Sequence, residues 1–158
     1  MGYGEYLINS TDWSSFALCG SQSAEDLAPA LWAFIGSKGS KAARSAWGGI
    51  ENAAFAQNTI YGAAEPAVSV LIASLADDRP AAVRQWIVEL LRFLLLGGSV
   101  EDADLASRCR NRARAGLWLL AHEARQTVGP AREGALEVLS LIDANTAKGV
   151  AEVLATPK

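Results

Sequence analysis

The feature that most constrains this chain is an internal repeat with a period of about 40 residues. When the sequence is shifted by 40 positions, Ala30–Ala33 aligns with Val70–Ala73, and Lys41–Trp47 aligns with Ala81–Ile87. A looser third copy follows about 48 residues after the second, where a proline and an arginine recur in the same order. Repeats of this length are typical of stacked helix pairs, because one pair alone cannot cover its own apolar face.

The composition favours helices in every copy. The chain has 158 residues, with 30 alanines and 19 leucines but only 5 prolines. Alanine and leucine lose little conformational freedom when they enter a helix. No segment alternates between apolar and polar residues for long enough to predict a strand. Because a chain of this length suits one domain, we predict a single all-α domain that spans residues 1–158.

Capping residues, prolines and glycines predict where the helices begin and end. Ser23 and Ser99 each open a capping box, and Asp78 precedes Pro80 as a candidate N-cap. Gly36 follows the last apolar residue of its segment, as C-cap glycines do. After a short aromatic helical segment at 12–17, the expected helices span about 23–36, 41–56, 63–76, 78–97, 99–127, 130–143 and 145–155, with a turn at 57–62.

The middle copy carries a recognisable pattern. Its members are Val68, Leu71, Ile72, Leu75, Asp77, Asp78, Pro80, Val83 and Arg84. This pattern resembles the HEAT repeat, in which a leucine-rich first helix, a turn with an Asp and a second helix opened by Val-Arg form an antiparallel pair. The segment 50–61 and Asp12-Trp13 are similar to small bacterial HEAT-like proteins. The first copy has Ser37–Ser40 in place of the turn Asp, and the third copy lacks the Val.

The resemblance implies a fold and a binding face. The fold would be a right-handed α-α superhelix, or solenoid, of about three antiparallel helix pairs with terminal capping helices. Trp13 and Phe16 would cap one end, and Asn145–Leu154 would cap the other. In the HEAT family the second helices line the concave side, where partners dock. The residues expected on that side are Ser45, Gly49, Glu51, Asn52, Gln85, Glu89, Arg92, Glu133 and Glu137.

Two glycines inside the second expected helix need an explanation. Gly48 and Gly49 each cost about 1 kcal/mol relative to alanine in a helix interior. Close approach of another helix of the same fold would explain them, and so would close approach of a partner's backbone. The sequence leaves both explanations open.

The charged residues predict ion pairs more readily than catalysis. Arg84 is expected to pair with Asp77 or Asp78 at the turn of the repeat, and Asp104 is an i, i+4 partner for Arg108. The basic run of the fifth expected helix is interpreted as a solvated, partly paired face, or else as a patch for phosphate or an acidic partner. That run consists of Arg108, Arg110, Arg112 and Arg114.

Several classes of site lack their sequence signatures. His122 is the single histidine, and Cys19 and Cys109 are in no CxxC motif, so we expect neither a metal site nor a disulfide framework. No phosphate-binding glycine loop or nucleophile elbow occurs, so we expect no catalytic residues and no cofactor. No signal peptide or membrane span is visible, which favours a cytoplasmic protein. Of the five tryptophans, Trp118 is the one expected to be exposed, together with His122.

These observations predict a non-enzymatic protein-binding module. Its most specific form is an immunity-type protein that neutralises a cognate bacterial toxin or effector, because an acidic chain of net charge −3 attracts a basic partner. A HEAT-like DNA glycosylase is an alternative, but the acidic charge and the mixed stripe of Gln85, Glu89 and Arg92 argue against nucleic acid. An intracellular scaffold is a third interpretation, with the chain a monomer or a weak homo-oligomer.

Overall fold

The computed structural model describes residues 1–20 and 23–157 and is mostly helical there. The α-helices are α1 (Tyr3–Ser10), α2 (Ala24–Ile35), α3 (Ser40–Ile50), α4 (Ala64–Leu75), α5 (Ala81–Leu96), α6 (Leu105–Arg114), α7 (Leu117–Gln126), α8 (Pro130–Ile142) and α9 (Ala144–Ala155). A 3₁₀ turn lies at Trp13–Ser15, and a short antiparallel hairpin joins β1 (Phe55–Ala56) to β2 (Thr59–Ile60). The predicted all-α class is therefore confirmed for the described residues, with this hairpin as a small addition.

The helix bounds follow the repeat in the sequence. Helices α2 and α4 each have 12 residues and begin at residues 24 and 64, which are 40 positions apart. Helix α2 packs against α3, and α4 packs against α5. In addition α3 contacts α5 and α5 contacts α8, while α4 contacts both α2 and α6. The contacts thus run in two series, one from α2 through α4 to α6 and the other from α3 through α5 to α8.

The buried apolar side chains form one core cluster, to which α4 and α5 contribute many residues. The spacing of apolar residues in the sequence predicts a stripe on α5 that consists of Val83, Trp86, Ile87, Leu90, Leu91 and Leu94. This stripe is buried at Val83, Ile87, Leu90, Leu91 and Leu94. Eight of the twelve residues of α4 are also buried. The alanines and valines among them let the neighbouring helices approach closely. Each fully buried side chain of this size contributes roughly 1.5–3 kcal/mol relative to an exposed one. Of the stripe that the sequence predicts, Trp86 alone remains half-buried.

The long helix expected over 99–127 is wrong, because the chain turns twice there. The Ser99 hydroxyl accepts a hydrogen bond from Asp102 N (3.1 Å), and the Asp102 carboxylate accepts one from Asp104 N (3.2 Å), so α6 begins only at Leu105. A second break falls at Gly116, between α6 and α7. A Cβ at Gly116 would lie 2.6 Å from Cγ2 of Ile72, so the chain passes α4 too closely for any side chain.

The second expected helix is also shorter than predicted, ending at Ile50 rather than near residue 56. Asn52 has φ +66°, a left-handed conformation that ends the helix. Gln57 has φ +53° and turns the chain between β1 and β2. The hairpin is held against the end of α5, because Ile60 N donates to Gly98 O (2.9 Å) and Gly98 N donates to Asn58 O (3.0 Å).

Helix α1 is not among the helices that the sequence predicts; it packs on α4 and α2, and Arg79 links its first turn to the loop after α4. Arg79 donates to Glu5 (2.7 Å) and to Asp77 (2.9 Å), and it also donates to the carbonyl of Ile35 (2.9 Å). The Asp77 carboxylate accepts the backbone N–H of Tyr3 (2.8 Å) as well as that of the following glycine (3.2 Å). The loop after α4 therefore holds the first turn of α1 in place.

Two predictions about this loop are wrong. The residue at the N-cap position of α5 is Pro80, and no side chain caps that helix, so Asp78 is not its N-cap. Arg84 pairs with Glu123 of α7 rather than with Asp77 or Asp78. The arginine in the first turn of α5 therefore reaches a carboxylate of α7 that lies 39 positions further along the chain.

The two predicted end caps differ in how far their own side chains are buried. Trp13 is buried and donates from Nε1 to the carbonyl of Ile8 (2.9 Å), although it lies in a 3₁₀ turn rather than an α-helix. Helix α9 packs on α8, but its Val153 is 74% exposed. Within the described residues, no helix combines the length and the apolar character that crossing a bilayer requires.

Candidate functional site

Three of the predicted binding residues meet on the exposed side of α5 and α8. Arg92 of α5 donates from Nε to Glu137 of α8 (2.7 Å), and its Nη1 lies 3.5 Å from the carboxylate of Glu89. The hydrogen bond that Arg92 donates to the Glu137 carboxylate raises the pKa of Arg92, so the arginine keeps its charge. All three side chains are one-third to one-half exposed, and ion pairs in such positions contribute at most about 1 kcal/mol to stability. Their charges therefore stay accessible to a partner.

Gln85 and Glu133 lie beside these ion pairs and are exposed. A small cleft of about 200 Å³ runs between α5 and α8, lined in part by Gln85, Glu89 and Gly134. Glu133 is one turn before Glu137 on α8. The polar stripe predicted on α5 thus continues across the neighbouring helix.

An aromatic cluster borders this polar region where α3 meets α5. Trp47 is at its centre, with ring centroids 6.2 Å from Phe34, 6.0 Å from Phe55, 5.7 Å from Trp86 and 5.4 Å from Phe93, all in edge-on arrangements. Phe93 is 37% exposed, and both tryptophans are half-buried. Large aromatic side chains of this kind, surrounded by polar groups, are frequent anchors of protein interfaces.

The remaining predicted residues, which lie on α3 or just after it, fall into two groups. Ser45 and Asn52 are exposed, and Glu51 accepts a hydrogen bond from Nε1 of Trp47 (3.1 Å), which links the polar and aromatic regions. Gly49 instead faces α2. We use the name α5 face for the exposed and half-buried residues of this region. They are Trp47, Glu51, Gln85, Trp86, Glu89, Arg92, Phe93, Glu133 and Glu137.

Gly49 is explained by packing inside the fold. A Cβ at Gly49 would lie 2.8 Å from the Cβ of Ala30 on α2, so the two helices cross at this glycine. A Cβ at Gly48 would meet nothing within 4 Å. Close approach of a neighbouring helix therefore explains the glycine at position 49, while the backbone of Gly49 remains exposed, and its place in a partner-binding surface stays a prediction.

The basic run of α6 is mostly engaged in ion pairs. Arg108 pairs with Asp102 (2.7 Å) and with Glu65 of α4 (2.9 Å), and Arg112 pairs with the same glutamate (3.1 Å). Burial raises the pKa of Glu65, but the hydrogen bonds and charges of the two arginines outweigh it and lower the pKa below its ordinary value. The interpretation as a partly paired face agrees with these contacts. They join α6 to α4.

Two details of the run differ from the sequence prediction. The backbone carbonyl of Asp104 accepts the backbone N–H of Arg108 (3.0 Å), whereas the side chain of Arg108 pairs with Asp102 and Glu65. The expected side-chain pair of Asp104 and Arg108 is therefore wrong. Arg114 pairs with Asp143 at the start of α9 (3.3 Å). Arg110 makes no ion pair with the part of the chain that the structure describes.

A second exposed feature is an apolar groove between α7 and α9. It encloses about 560 Å³ and is lined by Trp118, Ala121, His122, Arg125, Thr146, Gly149, Val150, Val153 and Leu154. We name it the C-terminal groove. Trp118 is 75% exposed, so the predicted exposure of Trp118 and His122 is confirmed. The sequence prediction missed the α9 wall, whose signal is the i, i+3, i+4, i+7 spacing from Thr146 to Val153.

The nucleophilic and metal-ligating side chains form no further site within residues 1–20 and 23–157. No group of three His, Cys, Asp or Glu side chains converges there to hold a metal ion. Cys109 is fully buried, and burial raises its pKa to about 12, so its thiol stays protonated. Cys19 is half-buried and not in a disulfide. A thiol that stays protonated is a poor nucleophile.

Comparison of the chain with models of protein families, with curated proteins and with solved structures finds no significant match to any of them. The likeness to the HEAT pattern therefore depends on the residues of the second copy and on the helix bounds. The functional argument depends on the two surfaces described above, the α5 face and the C-terminal groove.

Proposed function

We propose that this chain is a non-enzymatic protein-binding module and that its partner docks on the α5 face. The observation that carries the proposal is the combination of half-exposed aromatic rings with an excess of carboxylates. Glu51, Glu89, Glu133 and Glu137 oppose the single guanidinium of Arg92 on this surface. Interfaces typically combine aromatic anchors with a polar rim, and the rim charges select the partner and accelerate its association.

The same charge distribution favours a basic protein over nucleic acid. A nucleic-acid-binding surface neutralises phosphates with lysine and arginine, and its affinity falls steeply with salt. On the α5 face the one arginine is already paired with two glutamates. Of the arginines of α6, Arg108, Arg112 and Arg114 are likewise used in contacts to Glu65, Asp102 and Asp143. Neither the α5 face nor the paired arginines of α6 therefore supply the basic groove that a DNA glycosylase-like activity needs.

We further propose that the helices form a HEAT-like superhelix of three pairs. In this interpretation α2 and α3, α4 and α5, and the broken helix α6–α7 with α8 are the successive pairs. The 40-residue spacing of α2 and α4 supports it, as do the contacts from α3 to α5 and from α5 to α8. The α5 face would then occupy the concave side, where the second helices lie.

The narrower form of the proposal is an immunity-type protein that neutralises a basic toxin or effector. An acidic surface on an acidic chain attracts a basic enzyme over long distances and can cover its substrate site. The partner class is a prediction from charge. It is tested by asking whether the product of an adjacent toxin-like reading frame binds this chain.

The decisive experiment reverses charge on the α5 face without touching its packed residues. The double variant Glu89→Lys with Glu133→Lys should weaken binding of a basic partner by about tenfold or more, mainly through slower association and a weaker salt dependence. Its melting temperature should stay within about 2 °C of the parent, because both side chains are partly or fully exposed.

The matched control is Glu25→Lys with Asp26→Lys, which makes the same charge change on the exposed start of α2. Calorimetric titration of each variant with the partner separates the surfaces. Equal loss in both double variants would show that net charge alone matters, and undiminished binding in the first would remove the α5 face as the docking site.

A further inference from the structure

The C-terminal groove is lined by α7 and α9 and shares no residue with the cluster around Arg79. Helices α7 and α9 both pack on α8 and contact each other only slightly, so a furrow opens between them. Its most exposed apolar side chains are Trp118, at 75%, and Val153, at 74%. Exposing two large apolar side chains across one furrow is unfavourable in water, and contiguous apolar patches of this kind mark binding sites.

The spacing of the lining residues suits a helix. On α7 they fall at Trp118, Ala121, His122 and Arg125, and on α9 they fall at 146, 149, 150 and 153. Both sets follow i, i+3, i+4, i+7, so each helix presents one ridge along about 10 Å, or two turns. Small residues stand midway along both ridges, and a Cβ at Gly149 would meet nothing within 4 Å. A third helix can therefore approach the bottom of the furrow closely.

The furrow does not stop at the end of α7. A second hollow of about 670 Å³ adjoins it and shares Arg125, Val153 and Leu154 with it. Arg132 and Pro157 also line this hollow. Because the two hollows share part of their lining, one ligand larger than a typical small molecule, such as a helix, could occupy both.

The charges along this path are of one sign. Of the residues that line the two hollows, Arg125 and Arg132 are cationic and none is acidic. Arg132 is held in place because its Nε donates to the carbonyls of Ala124 and Thr127 (both 2.9 Å). The path therefore combines an apolar floor with fixed positive charge, in a chain whose net charge is −3.

We propose that the C-terminal groove docks an acidic amphipathic α-helix of a partner protein. Its apolar residues, at i, i+3, i+4 and i+7, would lie against Trp118, Val150 and Val153. Its carboxylates would meet Arg125 and Arg132 at the end of the furrow. This surface is separate from the α5 face, so the chain would bind two partners, or two parts of one, at the same time.

The test uses two synthetic labelled helical peptides of about 15 residues, a length sufficient for two turns of contact with frayed ends. Both carry leucines at i, i+3, i+4 and i+7, and they differ only in having glutamates or lysines at the flanking positions. In fluorescence anisotropy titrations with the full chain, the glutamate peptide should bind at least about tenfold more tightly than the lysine peptide.

Variants of the groove then assign the contact. Val153→Glu should weaken binding of the glutamate peptide by about tenfold or more, and Arg125→Glu should reverse the preference in favour of the lysine peptide. The matched controls are Val100→Glu and Arg44→Glu, at exposed positions outside the groove, and these should change neither affinity. The Glu89→Lys and Glu133→Lys variant of the α5 face should also leave peptide binding unchanged.

Three results would overturn the proposal. The first is that neither peptide binds or that the two bind equally. The second is concentration-dependent self-association in light scattering that Val153→Glu abolishes, since the groove would then belong to a second copy of the chain. The third is binding to phosphatidylserine-containing vesicles, but not to the peptides, that the same variant removes, which would assign the groove to a membrane surface.

Discussion

Replacing Arg79 with methionine tests how the fold holds its first helix. Methionine keeps much of the apolar stem of the side chain and removes the guanidinium that bonds Glu5 (2.7 Å), Asp77 (2.9 Å) and the carbonyl of Ile35 (2.9 Å). The carboxylates that remain have side chains only 11% and 9% exposed. The variant therefore leaves two nearly buried negative charges close together without a cation.

The structure sets the expected magnitude. Removing one partner of a buried ion pair costs roughly 3–5 kcal/mol. The lower end applies here, since Arg79 Nε is itself buried without a hydrogen-bond partner among the described residues. We expect a loss of about 3 kcal/mol in the free energy of unfolding at pH 7. For a chain of this size that corresponds to a fall in melting temperature of about 6–12 °C.

The pH dependence gives a sharper test. Burial raises the pKa of Glu5 and of Asp77, but hydrogen bonds from Arg79, and for Asp77 from backbone N–H groups, outweigh it and lower both pKa values. A carboxyl group with a lowered folded-state pKa contributes stability that is present above its unfolded pKa of about 4 and lost as the pH falls through the folded pKa. Without Arg79 the part of this contribution that the guanidinium supplies is absent, so the two stability curves should converge below about pH 4.

Urea unfolding followed by far-ultraviolet circular dichroism, at steps from pH 7 to pH 3, measures both quantities. Arg44→Met is the matched control, because Arg44 is exposed on α3, and it should change the free energy by less than about 0.5 kcal/mol. A loss under about 1 kcal/mol for Arg79→Met, or a difference that does not shrink in acid, would refute the reasoning.

Two further predictions concern glycines and thiols. Gly48→Ala should stabilise the protein by up to about 1 kcal/mol, because its Cβ meets open space within a helix, whereas Gly49→Ala should destabilise it by about 1–3 kcal/mol through collision with Ala30. Thermal melts of the two variants check this pair, and equal effects would contradict the packing argument. A thiol reagent at pH 8 should leave Cys109 unlabelled until the chain is unfolded, because the thiol is fully buried and its pKa is about 12. Rapid native-state labelling of a Cys19→Ala variant would contradict this.

Much of the helical framework is determined by short stretches of sequence. The Ser23 hydroxyl accepts a hydrogen bond from Glu25 N (3.2 Å), and α2 ends at the predicted Gly36. Pro130 begins α8, as its position after a glycine predicts. Signals of this kind act over three or four residues, so the local sequence contains all of the physics that they need. The polar stripe of α5 was predictable for the same reason, since its spacing alone places it opposite the apolar stripe.

The breaks in that framework depend on contacts between distant segments. The separation of α6 from α7 occurs where Gly116 passes Ile72, which lies 44 positions earlier in the chain. The hairpin that shortens α3 is anchored on Gly98, at the end of α5. Helix α1 is fixed by residues that follow α4. Periodicity within a window cannot anticipate a close approach by a segment outside it.

The candidate sites also combine features that the local sequence determines with features that depend on contacts between distant segments. The sequence by itself placed Gln85, Glu89 and Arg92 on the side of α5 opposite its apolar stripe, and it predicted that Trp118 is exposed. Only the tertiary structure decided the pairs, because partners such as Arg84 and Glu123 or Arg92 and Glu137 lie 39 and 45 positions apart. It also decided that α7 and α9 leave a furrow with cations and no carboxylates along it. A helix specifies its own faces, but which face meets which neighbour is settled by how all the helices share one core.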